Sequence, residues 1–415
     1  MKLSFGFGTT VQEAEVADKN VMGVLHANEV NVARTGEAEV QYALRNPIGC
    51  GTLSTVVKPG EKIAIITSDI TRPLPSYVIL PSLLDELYEA GIQKEDITIV
   101  FGLGSHRKHT KEEMTKLVGE RAFSEVACVD SEPSDCIKMG VTSSGTVVDI
   151  TRSVASADRR ICLGNIEYHY FAGYSGGAKA IMPGVSNRAA IQSNHSMMVR
   201  PEACAGKLDG NPIRIDIEEA GEICGIDFIV NVVLDEHKKV IKAVAGDCVL
   251  AHREGCAFLD TLYRKELPER ADIVIVSQGG APKDLNLYQT QKALDNAKHA
   301  IKDGGIIILV GSCIEGLGEE TFEEWMTQSP SPASMVERIK VDFQLGGHKA
   351  AAIAMVLEHA QIYLVSDLED EFVRDIFLQP MPSVQKALDE AFAQLGDEAT
   401  VLAMPFGGST LPHVS

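Results

Sequence analysis

A histidine, a glycine-rich turn, a lysine and a second histidine lie within one short stretch of this chain. The stretch reads Glu167-Tyr-His-Tyr-Phe-Ala-Gly-Tyr-Ser-Gly-Gly-Ala-Lys-Ala-Ile-Met-Pro-Gly184, and Ser193-Asn-His195 follows it closely. These residue types supply a base, a place for an anion, a nucleophilic amine and a metal ligand. A structural loop needs the glycines but not the other three groups, so we interpret the stretch as part of an active site.

Lys179 follows Gly173-Tyr-Ser-Gly-Gly-Ala, which invites comparison with a phosphate-binding P-loop. The match fails because Ala180 stands where that motif needs Ser or Thr, and because the glycine spacing differs. Backbone amides of residues 175–178 could still form an anion nest that opens a helix. Lys179 would then be either a counter-ion or, if burial and cationic neighbours keep it neutral, a nucleophilic amine.

His195 is a candidate metal ligand, because neutral imidazole suits zinc, copper or nickel. Its short motif contains no second histidine, so a metal bound there would need its other ligands from elsewhere.

Two more polar clusters follow predicted strands. In Ser68-Asp-Ile-Thr-Arg-Pro73, Arg72 could clamp a carboxylate or phosphate beside Asp69 and Thr71, or the turn could cap a helix and leave the arginine solvated. Gly102-Leu-Gly-Ser-His-Arg107 lacks the third glycine of a dinucleotide fingerprint. It presents His106 as a possible base, the alternative being a surface histidine in a basic stretch.

A further cluster, Tyr288-Gln-Thr-Gln-Lys292, opens a predicted helix and puts Gln289 and Lys292 on one face. An amide and an ammonium there could hold the carboxylate and hydroxyl of a small acid, or they could be an ordinary polar helix start. The similar run Gly346-Gly-His-Lys349 stays without an assignment.

The elements that must position these clusters alternate between strand-like and helix-like patterns, which predicts an α/β fold with mixed to largely parallel sheets. The pattern at residues 227–234 and 239–244 predicts a hairpin. The predicted strands are residues 62–68, 96–101, 159–164, 272–277, 305–310, 361–366 and 399–404, and the predicted helices are residues 77–90, 211–224, 251–264, 289–303 and 383–395.

A chain of 415 residues exceeds what one hydrophobic core usually organises, so we expect two domains. Glu266-Leu-Pro-Glu-Arg270 indicates the boundary, with a cofactor-binding and catalytic domain at residues 1–268 and a second α/β domain at residues 269–415 that contributes substrate ligands. Ligands in such sheets bind at the carboxyl ends of strands, and we expect the active site in the cleft between the domains.

Composition excludes several classes of partner. A net charge of −20 speaks against nucleic acid and anionic membrane surfaces. No apolar run is long enough to span a membrane, and the first residues lack the apolar region of a signal peptide, which predicts a cytoplasmic protein. The nine cysteines form no CxxC pair and are odd in number, so we expect reduced thiols without a disulfide framework or a cysteine zinc site.

Taken together and in order, the motifs of Asp69, His106, Lys179, His195 and Lys292 resemble those of the nickel-dependent lactate racemase family. That family carries a nickel-pincer nucleotide, a pyridinium mononucleotide whose two thio-acid arms hold nickel. The resemblance implies that Lys179 bonds covalently to one arm as a thioamide and that His195 is the protein's ligand to nickel. A single histidine then suffices, because the cofactor supplies the remaining positions.

The same resemblance implies that the turn of Asp69, Ile70, Thr71 and Arg72 contacts the cofactor, as does Tyr288.

It also implies that Arg72, Gln289 and Lys292 bind substrate and that His106 and His169 are the two acid/base residues. The implied reaction is racemisation or epimerisation of a 2-hydroxy acid by reversible hydride transfer, with one histidine serving each stereoisomer. Cofactor-making enzymes are the implied partners.

The substrate is less closely defined than the reaction. Lactate is the first expectation, but lactate enzymes of this family usually have Thr where Ser105 stands, and relatives act on malate, other 2-hydroxy acids or sugar acids. Two readings from other classes stay open: a zinc-assisted hydrolase using His106, His169 and His195, and a protein that binds a small carboxylate without turnover.

Overall fold

The structure, a computed structural model, describes residues 1–104, 106–235 and 237–414. The strands in chain order are β1 (Lys2–Phe7), β2 (Thr10–Glu15), β3 (Val21–Val24), β4 (Ile63–Ser68), β5 (Ile97–Gly102), β6 (Ala127–Asp130), β7 (Cys136–Val141), β8 (Val147–Thr151), β9 (Arg159–Asn165), β10 (Tyr168–His169), β11 (Gly173–Tyr174), β12 (Phe228–Leu234), β13 (Val240–Gly246), β14 (Arg264–Leu267), β15 (Ala271–Ser277), β16 (Ile301–Val310), β17 (Gln361–Val365), β18 (Gln379–Met381), β19 (Val401–Met404) and β20 (Leu411–Val414).

The α-helices in chain order are α1 (Glu37–Arg45), α2 (Leu53–Val56), α3 (Ser76–Glu89), α4 (Lys111–Val118), α5 (Glu120–Glu125), α6 (Arg152–Ala155), α7 (Arg188–His195), α8 (Pro212–Cys224), α9 (Leu250–Tyr263), α10 (Leu287–Ala297), α11 (Glu320–Gln328), α12 (Pro332–Val341), α13 (Gly347–Leu357), α14 (Asp370–Asp375) and α15 (Val384–Leu395). Within the described residues, none of the helices combines the length and the apolar character that crossing a bilayer requires.

The chain divides into two compact units, one of Val30–Thr261 and one that joins Met1–Glu29 to Leu262–Ser415. The unit of Val30–Thr261 is built on a six-stranded sheet in the order β13-β12-β9-β4-β5-β6. All neighbours in this sheet are parallel except β12 and β13, which form the predicted antiparallel pair. Strand β4 reads Ile-Ala-Ile-Ile-Thr-Ser and is almost wholly buried, because a central parallel strand is covered on both faces.

The other unit contains a six-stranded sheet in the order β18-β17-β16-β15-β19-β3, and every pair in it is parallel. Apolar side chains of the β1-β2 hairpin, the sheet and α15 share one core, which includes the buried Phe5, Ile308 and Leu388. The predicted fold class, two α/β domains with mixed to largely parallel sheets, is confirmed.

Two sequence-based boundaries differ from the structure. The first 29 residues were expected in the N-terminal domain but belong with the C-terminal unit, because β3 completes that unit's sheet by pairing with β19. The helix predicted at residues 289–303 ends at Ala297, and β16 already begins at Ile301. Pairing of Ile301 with Ala271 of β15 overrides the helical spacing there.

Candidate active site

Three of the polar clusters follow β4, β5 and β9, which are neighbours in one parallel sheet. Carboxyl ends of parallel strands meet at the same edge, so the turn at Asp69, the loop at His106 and the segment with His169 share that edge. The fourth cluster, at residues 288–292, follows β15 in the other unit.

The buried Asp69 and the partly exposed His106 form a hydrogen-bonded pair between the first two loops. Asp69 is 3% exposed, and its Oδ2 is bonded to Nδ1 of His106. Its Oδ1 accepts hydrogen bonds from the Thr71 amide at 3.2 Å and the Thr71 hydroxyl at 2.7 Å. Because a carboxylate only accepts, Nδ1 of His106 carries the proton, and Nε2 keeps a lone pair that can receive another.

Burial raises the pKa of the Asp69 carboxyl, but the hydrogen bond and charge of His106, with smaller contributions from Thr71 and Arg72, outweigh it. The net result is a pKa below the usual aspartate value. Asp69 is therefore a fixed negative charge that orients His106.

His109 supports the same turn and was not singled out by its sequence position. Its side chain is 1% exposed, and Nδ1 lies 2.7 Å from Oδ1 of Asp130. Nε2 then accepts a hydrogen bond from the Ile70 amide at 3.0 Å. His109 therefore anchors the Asp69–Arg72 turn to β6.

Ile70, Thr71 and Arg72 lie in the exposed part of that turn, with Arg72 solvent-accessible at its end. The charge of Arg72 nevertheless acts on His169 and Lys179, so the arginine lies near both groups. Ser105, which precedes His106, lies outside the described residues.

His169 is half-buried among aromatic rings, stacked on Tyr170 at 5.3 Å and edge-on to Phe171 at 4.5 Å. Its Nδ1 accepts a hydrogen bond from the Ala172 amide at 3.3 Å, which leaves the proton of the neutral ring on Nε2. Burial, followed by the charges of Lys179 and Arg72, holds the pKa of His169 well below its usual value. His169 is thus a neutral imidazole in the opposite tautomer to His106.

The glycine-rich segment before Lys179 is already hydrogen-bonded within the protein. Gly173, Gly176 and Gly177 have φ of 75°, 78° and 59°, which favour glycine. The Ser175 amide donates to the Glu167 carbonyl at 2.9 Å, and the Gly177 amide donates to Oδ1 of Asn231 at 2.7 Å. The anion nest expected at residues 175–178 is therefore wrong for these two amides.

Lys179 lies in a single 3-10 turn (Gly177–Ala180), not in the first turn of a long helix. Its Nζ is 5.8 Å from the ring centre of Phe171. Burial, followed by the positive charges of Arg214 and Arg72, holds the pKa of the Lys179 amine well below its usual value. The amine is consequently neutral more readily than a surface lysine, which is the condition for a nucleophile.

His195 ends α7 and is 7% exposed, with its ring edge-on to Phe171 at 4.9 Å. Its Nδ1 lies 2.8 Å from Oδ1 of Asn194. The amide nitrogen of Asn194 donates to Oδ2 of Asp216 at 2.8 Å, so its oxygen faces His195 and Nδ1 must be the donor. The lone pair of His195 therefore resides on Nε2, as in metal-binding histidines whose other ring nitrogen donates to a neighbouring group.

Asn194 and Asp216 were not predicted as site residues, although Asn194 lies inside the quoted Ser-Asn-His motif. Both are fully buried. Within the described residues, no group of three or more His, Cys, Asp or Glu side chains could hold a metal ion.

Tyr288, Gln289 and Lys292 lie in the first turns of α10, where Gln289 and Lys292 are three residues apart as predicted. Asn286 caps the helix by accepting from the Gln289 amide at 3.0 Å. Nζ of the buried Lys349 donates to the Tyr288 carbonyl at 2.5 Å and lies 4.0 Å from the ring centre. Lys349, which the sequence left without an assignment, therefore fixes Tyr288.

Comparisons with known proteins agree with this architecture along the whole chain. The family model of the lactate racemase N-terminal domain matches residues 7–206, and that of the lactate racemase C-terminal domain matches residues 267–411. A lactate racemase of Thermoanaerobacterium thermosaccharolyticum is 33% identical over 417 residues, covering 98% of this chain and 97% of that protein. A lactate racemase of Lactiplantibacillus plantarum is 34% identical over 406 residues, covering 95% of each.

Solved structures give the same result. The lactate racemase apoprotein from Thermoanaerobacterium thermosaccharolyticum superposes with a TM-score of 0.90 at 32% identity, over 99% of this chain and 100% of that one. A Thermotoga maritima protein shares the fold, with a TM-score of 0.64 at 20% identity over 91% of this chain and 98% of its own.

These matches make the protein an enzyme of the isomerase class. The chain belongs to the lactate racemase family, as its motifs predicted.

Proposed function

We propose that this chain interconverts the stereoisomers of a small 2-hydroxy acid, with lactate as the first candidate, while carrying a nickel-pincer nucleotide on Lys179. The observation that carries the proposal is the position of Lys179 on the glycine-rich turn, with Nζ 5.8 Å from the Phe171 ring centre, where burial and the charges of Arg214 and Arg72 lower the pKa of the amine. The two relatives at 33% and 34% identity are both lactate racemases, which supports lactate as substrate.

The residues of the Val30–Thr261 unit fit such a cofactor. An amine of lowered pKa at Lys179 suits formation of a thioamide bond, and His195 would offer its Nε2 lone pair to nickel while Asn194 holds Nδ1. Arg72 and Arg214 supply positive charge for an anionic nucleotide. We propose that the turn of residues 69–72 and Tyr288 also contact it. When bound, the electron-poor nickel–pyridinium group would supply a place for a hydride to be held and returned.

The chain's own contribution begins with the substrate hydroxyl. Nε2 of His106 has the lone pair to take the hydroxyl proton, because Asp69 holds Nδ1–H. Loss of that proton makes departure of the Cα hydrogen as hydride easier, and a planar 2-keto acid results. Arg72 would hold the substrate carboxylate through paired hydrogen bonds, and Gln289 and Lys292 would bind the same small acid.

His169 serves the opposite stereoisomer, whose hydroxyl points to the other side. Its Nε2 carries a hydrogen because Nδ1 accepts from the Ala172 amide, so it can hydrogen-bond the oxygen of the substrate. To act as the acid, His169 must first receive at Nδ1 the proton that His106 removed; Nε2 then gives a proton to the keto oxygen and leaves the ring neutral. The two histidines thus share one proton between the two sides of the planar 2-keto acid.

The test is to produce the full chain together with cofactor-making enzymes, which we propose as its partners. Intact-mass and metal measurements should find a covalent adduct on Lys179 and nickel. Lys179→Ala should lose the adduct and activity, whereas the control Lys207→Ala, in the same unit, should keep both. Zinc with an unmodified mass would instead support a hydrolase, and ligand binding without turnover would support a carboxylate-binding protein.

The substrate and the hydrogen transfer need separate measurements. Chiral chromatography of lactate, malate, larger 2-hydroxy acids and sugar acids should identify the acid that reaches a mixture of isomers. Substrate deuterated at Cα should keep its label during interconversion, because a hydride does not exchange with water. Rapid loss of the label to solvent would contradict hydride transfer and indicate a carbanion.

A further inference from the structure

Arg214 is a buried arginine that contacts the segment leading to Lys179. It lies in the first turn of α8, where Oδ1 of Asn211 caps the helix by accepting from the Arg214 amide at 3.2 Å. The side chain is fully buried. Its Nε donates to the Ala172 carbonyl at 3.2 Å, and Nη2 donates to the Tyr174 carbonyl. These two carbonyls flank Gly173, so one guanidinium fixes both sides of the glycine turn.

The charge of this guanidinium has no carboxylate of its own among the described residues. Its Nη1 is buried and lacks a hydrogen-bond partner in the part of the chain that the structure describes. Two acidic residues of α8 follow Arg214 closely, and each has other partners: Asp216 accepts from Thr142 and Asn194, and Arg253 engages Glu218 through two hydrogen bonds of 2.8 and 3.1 Å. Burial lowers the pKa of Arg214, yet a guanidinium stays protonated at neutral pH. Burying a cation without a carboxylate partner costs stability, so we expect Arg214 to have a functional role.

We propose that Arg214 is a positioning residue for Lys179, which it controls through the two loop carbonyls and through a positive charge that no carboxylate in the described part of the chain pairs. The inference deepens the proposed function, because it rests on Lys179 as the point of cofactor attachment. It concerns the state of the amine before the cofactor arrives, so it is testable on cofactor-free protein.

The electrostatics of the site agree with this geometry. Burial lowers the pKa of Lys179 most, and Arg214 contributes more than Arg72 among the charges. Arg214 also lowers the pKa of the buried His252, whose Nε2 donates to the Ser175 carbonyl at 2.8 Å. The charges and titratable groups around Arg214 itself are Glu218, Arg253, Cys248 and Cys256. A neutral amine is needed to form the C–N bond to a thio-acid arm, a step in which the C–O bond of the arm breaks and water leaves to give the thioamide. A fixed positive charge nearby favours the neutral amine by lowering its pKa.

The experiment measures the titration of Lys179 in the cofactor-free full chain. Lysines compete for a limiting amount of acetic anhydride across neutral and alkaline pH, and peptide mass spectrometry quantifies each site. Arg214→Gln removes the charge, and Arg214→Lys keeps it with fewer donors. Arg160→Gln is the matched control, because Arg160 also donates to backbone carbonyls, those of Val154, Ala155 and Ala157, at 3.1, 2.8 and 3.0 Å.

We expect the wild-type Lys179 midpoint to lie well below the ~10.4 of an ordinary lysine. Arg214→Gln should raise it by about one unit, which lowers labelling at neutral pH about tenfold. Arg214→Lys should restore most of the difference, and Arg160→Gln should match wild type. A folded Arg214→Gln protein with the wild-type midpoint overturns the proposal.

Two further outcomes test the proposal even if the Arg214→Gln protein does not fold. An ordinary midpoint for Lys179 in the wild type overturns the proposal, and so does an Arg214→Lys midpoint that rises to the ordinary value. Absence of any adduct on Lys179 after production with cofactor-making enzymes contradicts the proposed function instead, and leaves the titration result standing.

Discussion

Replacing Asp69 with asparagine tests whether His106 is a base whose tautomer a carboxylate sets. Both Thr71 donors bind Oδ1 of Asp69, so an asparagine must keep its oxygen there. Its NH₂ group then faces Nδ1 of His106, which can no longer donate. The proton moves to Nε2, and His106 loses the lone pair that would take the substrate proton.

The expected loss of catalytic rate is large, although Asp69→Asn replaces only one carboxylate oxygen by an amide nitrogen. General-base catalysis contributes about 10²–10⁴ in rate, or about 3–5 kcal/mol of the barrier. Stability should fall far less, by about 1–2 kcal/mol, because the pair loses one charge-assisted hydrogen bond and no volume. We therefore expect Asp69→Asn to lower kcat of the holoenzyme about 10²–10⁴-fold while the Lys179 adduct stays at its wild-type level.

Chiral chromatography of substrate over time measures the rate, and intact mass measures the adduct. Asp130→Asn is the matched control, since it alters the neighbouring His109 pair in the same way. His109 contacts the Ile70 amide and no proposed reacting atom. The kcat of Asp130→Asn should therefore fall by about tenfold or less. Asp69→Asn activity within about threefold of wild type would refute the tautomer argument.

Three other predictions follow from the same structure. His169→Ala should stop interconversion of isomers but keep the covalent adduct, and a native rate by chiral chromatography would remove His169 from the mechanism. Burial lowers the pKa of His299 to about 3, whereas an unfolded histidine has a pKa of ~6.5. As the pH falls, the ring is therefore protonated first in the unfolded chain. The stability that the neutral ring contributes above pH ~6.5 is lost between that pH and about 3. His299→Leu should therefore reduce the stability lost between about pH 7 and pH 5 by about 2 kcal/mol in urea unfolding, and an unchanged loss would contradict this. Gly173→Ala places a Cβ 2.1 Å from a backbone carbonyl at φ 75°, whereas Gly145→Ala at φ 88° meets nothing within 4 Å. The control should lose only about 1–2 kcal/mol of stability, and Gly173→Ala should lose more and also lower the yield of the Lys179 adduct; equal losses would refute the contact.

The recurring strands were readable because apolar runs bounded by turn residues are a local signal. Strand β4 was predicted to begin one residue before Ile63, and the hairpin of β12 and β13 was anticipated from its alternation. The polar clusters at Asp69, His106 and His169 could also be predicted as site residues, because each directly follows a predicted strand in the sequence. Family membership followed from the order of these motifs.

Contacts between distant segments were not readable in the same way. Nothing local in the first 29 residues indicates that β3 joins β19, roughly the length of the chain away. Arg214 looked like one polar position on an amphipathic helix, and only packing shows that it holds the carbonyls on both sides of Gly173. His109 and Asp216 were missed for the same reason.

The sequence by itself determined which residues were available for chemistry and the elements that carry them, because residue type and periodicity are local properties. Only the tertiary structure decided the sites of protonation: Nδ1–H on His106, Nε2–H on His169 and a lowered pKa for the amine of Lys179. Protonation depends on burial, on nearby charge and on which groups accept a hydrogen bond. All three arise from segments that are far apart in the chain and meet only when it folds.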